Sequence, residues 1–274
     1  MNMKTEWTTG FVNSNGFDLF YTRTGGEKRP IILAHGYTDD GSCWTDVGRY
    51  FENDYDLIMY DAIGHGQSAR ITEDMPIDMV ADIHNIIISL DLSKPAVIGH
   101  SMGAATAAGY AARHSENVSL IILEDIPWFN EVPKLKKADN KKQPKNIIEN
   151  LQKGNLKEAV EFSKMYNPGF IDSMHEPWAA SKMRFDLTYQ KRKWQKMPRW
   201  QEIAAMIQCP TLLITGDNDK GALVTPEVAV EALKIINSAE WAHIPNAPHC
   251  IRYEQFSVTM NVIKNFLKMN YPPK

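Results

Sequence analysis

The sequence has little cysteine. Cys43, Cys209 and Cys250 are its three, widely spaced and without a CxxC pair. That excludes a disulfide framework and a thiolate zinc site, and it suits a reducing compartment. Long apolar runs are missing too. No stretch approaches the roughly 18 consecutive apolar residues that would read as a membrane-crossing helix. Neither sign of charge dominates, since 33 acidic residues stand against 30 basic ones. A net charge of −3 lacks the basic footprint of a dedicated nucleic-acid binder. The stretch Met1-Asn2-Met3-Lys4-Thr5-Glu6-Trp7 lacks the apolar core of a signal peptide. These absences predict a soluble cytoplasmic globular protein with no membrane and no nucleic-acid partner; they leave its oligomeric state open. A P-loop, an H-E-x-x-H pair and a dinucleotide fingerprint are absent as well, so no metal and no organic cofactor is expected.

What the chain does have is 274 residues, 43% of them hydrophobic, enough for one large domain or a domain with an insertion. Short β-branched runs recur at Pro30–Ala34, Asp56–Tyr60, Ala96–Gly99, Ser119–Leu123 and Thr211–Thr215. Near-continuous apolar runs of this length read as parallel strands covered on both faces. An earlier pair, around Phe11-Val12 and from Phe17 to Thr22, flanks Asn13-Ser14-Asn15-Gly16 and predicts an antiparallel hairpin. Helical patterns lie between the strands. One opens at Pro76 with Met79, Ile83, Ile86, Ile87 and Leu90 on one face; a second, rich in alanine, follows Ser101; a third starts near Thr225-Pro226-Glu227. Strand alternating with helix predicts an α/β fold with a mostly parallel sheet and helices on both faces.

The alternation fails between Pro127 and Trp200. That stretch holds sixteen basic residues against eight acidic, punctuating prolines, helical runs such as Leu156 to Met165, and Trp128, Trp178, Trp194 and Trp200. We read residues 1–126 and 201–274 as two parts of one core and 127–200 as an inserted helical cap. The cap's lysines, from Lys134 to Lys145 and at Lys191-Arg192-Lys193, read as solvated faces. Its basic charge over an acidic core should steer polar or anionic molecules more than it holds the cap shut, because salt screens exposed charges within about 8 Å. The cap aromatics should dominate closure.

Gly99-His100-Ser101-Met102-Gly103 is G-x-S-x-G, placed directly after the Ala96 strand and opening the alanine-rich helix. Strand, sharp turn and helix are what a nucleophile elbow needs: glycines permit the turn, and the serine meets the positive end of a helix. His35-Gly36 follows the third strand, Asp61-Ala62-Ile63-Gly64-His65-Gly66-Gln67-Ser68 the fourth, Gly216-Asp217-Asn218-Asp219 a late strand, and Asn246-Ala247-Pro248-His249 the run Trp241–Ile244. With these motifs the chain resembles the α/β-hydrolase family over nearly its whole length outside the cap. The resemblance implies that fold with the cap after the sixth strand, and a Ser–His–Asp triad of Ser101, His249 and Asp219. Glu124-Asp125, ending the Leu120–Leu123 run, stands as the alternative source of the acid. The implied oxyanion hole is the backbone N–H groups of Met102 and Tyr37. His35, Trp44, His100 and Trp128 are candidate substrate-pocket residues.

A serine hydroxyl needs an imidazole to take its proton, and the imidazole needs a carboxylate to fix its tautomer. The expected activity is cleavage of a small carboxylic ester or lactone through an acyl-serine intermediate. C–C bond hydrolases, thioesterases, cofactor-free perhydrolases and hydrolase-fold ligand receptors with little turnover share such triads, so these alternatives remain open at this level.

Overall fold

A computed structural model describes residues 6–130, 146–192 and 198–274. Among them, β1 (Thr8–Ser14), β2 (Phe17–Arg23), β3 (Arg29–Ala34), β4 (Tyr55–Tyr60), β5 (Ala96–His100), β6 (Leu120–Glu124), β7 (Thr211–Thr215) and β8 (Ala239–His243) form one sheet in the order β1-β2-β4-β3-β5-β6-β7-β8. The β1–β2 and β2–β4 pairs are antiparallel and the rest are parallel. The hairpin is tighter than the sequence reading, because Ser14 already pairs with Phe17. That leaves Asn15-Gly16 as the turn, both at positive φ (52° and 90°), the conformation a two-residue hairpin demands.

The apolar strand runs split by alternation onto two faces. Ile32, Ile58, Val97, Ile121 and Leu213 face one core. It is covered by α2 (Met79–Ser89), α3 (Met102–Arg113) and α9 (Pro226–Ile235). Ile31, Leu33, Leu57, Ile98, Ile122 and Ile214 face the other, covered by α1 (Thr45–Phe51) and α11 (Phe256–Asn270). The inner strands β3 to β7 thus bury both faces, which is why their sequences read as continuous apolar runs. Helix α2 starts at Met79 rather than Pro76, since the Asp78 side chain caps the amides of Val80 and Ala81.

Between β6 and β7 the chain leaves the sheet and builds α4 (Ile147–Lys153), α5 (Leu156–Tyr166), α6 (His175–Arg184), α7 (Thr188–Lys191) and α8 (Trp200–Ala204). Leu151, Ala159 and Ala179 give the insertion a small core of its own. A short helix, α10 (Ile251–Glu254), then leads into α11. Trp194, Lys193 and the Lys134–Lys145 stretch lie outside the described residues. No described helix is long and apolar enough to cross a membrane.

Candidate active site

The connections after β3 and β5 run to opposite sides of the sheet, so their ends flank a crevice of the kind where open α/β sheets place their sites. β5 delivers Ser101 to that crevice. Ser101 sits at φ 52°, ψ −113°, a strained backbone for a residue with a Cβ, and its N–H donates to the Glu124 carbonyl at 2.9 Å. The flanking glycines are needed for space. A Cβ on Gly99 would come within 2.2 Å of the Gly103 carbonyl oxygen, and one on Gly103 within 2.1 Å of the Ala34 carbonyl oxygen. The second contact packs the elbow against the end of β3, ahead of the turn that carries Tyr37.

His249 lies five residues after Ile244, ahead of α10. Its Nδ1 is 2.6 Å from Asp125 Oδ2. Asp125 is fully buried, at φ 44°, directly after β6. Its carboxylate also accepts from the backbone amides of Leu223 (2.9 and 3.0 Å) and Val224 (3.1 Å). This buried carboxylate has its hydrogen-bonding capacity filled by N–H groups. It fixes the proton of His249 on Nδ1 and leaves Nε2 as the basic nitrogen. Among the described residues no hydrogen bond joins His249 to Ser101, a contact that often tightens only when substrate binds.

Asp219, expected to orient His249, is not brought to it. It lies exposed in the turn Asn218–Lys220. The loop after β7 reaches the site through main-chain amides and does not supply the carboxylate. Asp217 ties that loop down, accepting from Asn246 N–H (2.8 Å) and pairing with His243 (2.9 Å). Glu124, the other alternative, is turned away onto Arg252, which it meets through both backbone N–H (2.8 Å) and guanidinium (2.5 Å).

The expected pocket residues are packed away. Trp44 is fully buried with the Arg252 guanidinium 3.6 Å over its ring. Trp128 stacks on Trp200 at 4.9 Å where the chain enters the insertion. His35 accepts from Ala62 N–H at Nε2 (2.9 Å) and donates from Nδ1 to the Gly36 carbonyl (2.8 Å). Burial holds it below the usual histidine range. His100 is buried beneath His249, ring centroids 4.8 Å apart, and donates from Nε2 to the His249 carbonyl at 3.1 Å. Burial, helped by His249 and Arg252, keeps His100 neutral. His35 and His100 thus hold backbone in place, while Trp44 and Trp128 pack against Arg252 and Trp200. Tyr37 meets the insertion instead, edge-on to Phe185 (5.5 Å) and Tyr189 (5.7 Å).

A buried polar chain next to this site has no sequence signature. Arg252 bridges Glu124 and the Tyr253 hydroxyl (3.3 Å); Tyr253 donates to Asp39 Oδ2 (2.7 Å); Lys182 of the insertion donates to Asp39 Oδ1 (2.6 Å). Arg184 adds a second contact to the core, through Asp40 (2.8 Å) and Ser42 (3.1 Å). The insertion is therefore held by specific ion pairs, one of them buried, and by aromatic packing on Tyr37. No cluster of three metal-ligating side chains exists among the described residues.

The alpha/beta hydrolase fold profile matches residues 29–255. The lipase 1 of Psychrobacter immobilis is 25% identical, covering 92% of this chain and 81% of its own length. The 2-hydroxy-6-oxo-6-(2'-aminophenyl)hexa-2,4-dienoic acid hydrolase of Metapseudomonas resinovorans is 26% identical, covering 88% and 83%. A crystal structure of E-2-(acetamidomethylene)succinate hydrolase superposes with TM-score 0.74 at 15% identity, covering 96% of this chain and all of that one.

Proposed function

Because the chain belongs to the α/β-hydrolase fold family, we propose that it is a serine hydrolase that cleaves a carboxylic ester or lactone through an acyl-serine intermediate. Ser101 is the nucleophile, His249 its base and Asp125 the acid. The observation that carries this reading is the 2.6 Å contact of His249 Nδ1 with the buried Asp125, beside a serine on a strained elbow. His249 Nε2 takes the Ser101 hydroxyl proton as Oγ attacks the substrate carbonyl. The tetrahedral oxyanion is met by the N–H groups of Met102 and Tyr37, donors fixed before the charge develops. Collapse expels the alcohol, which takes its proton from His249. A water activated by the same nitrogen then releases the acid and frees Ser101.

The reading is tested with p-nitrophenyl esters of graded acyl length and a set of lactones, offered to wild type and Ser101→Ala. Wild type should turn over at least one class with a burst of p-nitrophenol. Ser101→Ala should lose about 10³-fold or more in kcat. A Ser101→Ala protein that keeps a large fraction of the rate refutes the assignment. A single stoichiometric acylation with almost no turnover would point to a ligand receptor.

A further inference from the structure

We propose that Lys182, carried by the insertion, is a positioning residue for the oxyanion turn, so that seating the insertion on the sheet completes the catalytic site. The proposal rests on the serine-hydrolase reading above. Lys182 is 4% exposed, a rare environment for a lysine. Its ammonium spends its three donors on Asp39 Oδ1 (2.6 Å), the Thr38 carbonyl (3.1 Å) and Ser181 Oγ (3.3 Å), and stands 4.8 Å over the Trp178 ring. Two of those partners are consecutive residues of the turn that follows β3.

That turn is pinned carbonyl by carbonyl. The Gly36 oxygen accepts from Asp39 N–H (3.1 Å) and from His35 Nδ1 (2.8 Å). The Tyr37 oxygen faces His65 Nε2 at 2.5 Å. The Thr38 oxygen is held by Lys182. In a planar trans peptide the N–H points opposite to the preceding carbonyl, so fixing the Gly36 oxygen aims the Tyr37 N–H. Asp39 closes that turn, and its carboxylate is gripped by Lys182 on one oxygen and Tyr253 on the other. On its inner side the turn lies tight against His100, since a Cβ at Gly36 would already be 2.8 Å from His100 Nδ1. Of these supports, Lys182 is the one contributed by the insertion. Burial opposes a charge on Asp39, but Lys182 and the Tyr253 hydroxyl outweigh it and hold the carboxyl well below its usual range. Without the ammonium, Asp39 is a buried anion short of its cation, and the turn is pulled toward solvent.

The experiment compares wild type, Lys182→Met, Lys182→Arg and Asp39→Asn by kcat and KM on a p-nitrophenyl ester. It also follows labelling of Ser101 by a fluorophosphonate, affinity for an alkyl boronic acid, which forms a tetrahedral adduct, and thermal melting. A displaced oxyanion donor predicts that kcat falls about tenfold to a hundredfold in Lys182→Met with KM within about threefold. Boronic acid affinity should fall in step with kcat/KM, and Lys182→Arg should recover part of both. If Lys182→Met melts lower yet its folded protein keeps kcat within about twofold, with Ser101 labelled as in wild type, the proposal is overturned and the hydrolase reading stands. If wild type itself is not labelled on Ser101 and turns over no ester, that reading falls and takes the proposal with it. Should Lys182→Met fail to fold, Asp39→Asn carries the same expectation, because it keeps the side-chain volume and removes the charge. Wild-type kcat and boronic acid affinity in that variant overturn the proposal.

Discussion

Replacing Asp125 by asparagine should remove most of the activity while the fold survives. The carboxylate accepts on both sides: Leu223 and Val224 amides at 2.9–3.1 Å, His249 Nδ1 at 2.6 Å. Asparagine is isosteric but has one acceptor oxygen and one NH2. With its oxygen toward Leu223 and Val224, the NH2 faces Nδ1, and the imidazole must move its proton to Nε2, where it can no longer accept from Ser101. The wrong tautomer costs about 10⁴-fold in kcat in triads of this kind. That is about 5 kcal/mol of barrier. With the side chain flipped, the NH2 confronts two buried amides instead, an unmade hydrogen bond worth about 1–3 kcal/mol of stability. The first arrangement spares the fold, so melting should shift modestly while steady-state p-nitrophenyl ester hydrolysis collapses. An Asp125→Asn enzyme that keeps more than about a tenth of wild-type kcat, or an Asp219→Asn enzyme that is the worse of the two, refutes the reasoning.

Glu124→Gln leaves the Arg252 guanidinium, 1% exposed, without its counter-charge; urea unfolding should show a loss of about 3–5 kcal/mol, and a loss under about 1 kcal/mol would mean the pair is replaceable. Asp82 titrates in the opposite sense to an ordinary paired carboxylate: burial pushes it up to about 6, against a hydrogen bond from Ser14, and Oδ2 has no partner. The native state then holds a proton that the unfolded chain has released between the ordinary carboxyl range and about 6, so Asp82 lowers stability as pH rises through that window. Asp82→Asn, which keeps the acceptor for Ser14, should therefore stabilise by a margin that grows from about pH 4 to 6 and levels at up to about 3 kcal/mol above it. A margin flat with pH, followed by thermal melts, would refute the shift.

The parallel strands were legible because two-faced burial writes itself as unbroken apolar runs such as Leu120–Leu123 and Thr211–Thr215. The edge strand was less so. β8 spans Ala239–His243 and not Trp241–Ile244, since partial exposure leaves Glu240 and His243 in the pattern. Ser101 and His249 are marked by local context: an elbow between strand and helix, and a histidine behind the final strand. Which carboxylate meets His249 is a long-range fact. Asp125 and Asp219 both follow neighbouring parallel strands, β6 and β7, and the local sequence does not say which loop sends in a side chain and which its backbone. Lys182 is one of sixteen basic residues in the insertion and acquires its environment only when α6 docks. Trp44 and Trp128 read as pocket aromatics because residues around a site must also be packed, and packing uses the same side chains.

Drawing the carboxylate from the end of β6 divides the chain into stretches that drift differently. Leu223 and Val224 serve Asp125 through amides that almost any residue provides, so substitutions or a longer turn at Asp219 and Lys220 pass through no inactive ancestor while Asp217 keeps its ties. The step from Glu124 to Ile126 has no such latitude. Glu124 and Asp125 point to opposite partners, and Ile126 is fully buried immediately before the insertion begins. Deleting one residue there would exchange the destinations of the two carboxylates. Crossovers between related genes that swap whole insertions should therefore survive when the junction falls beyond Ile126, and fail when it falls one position earlier.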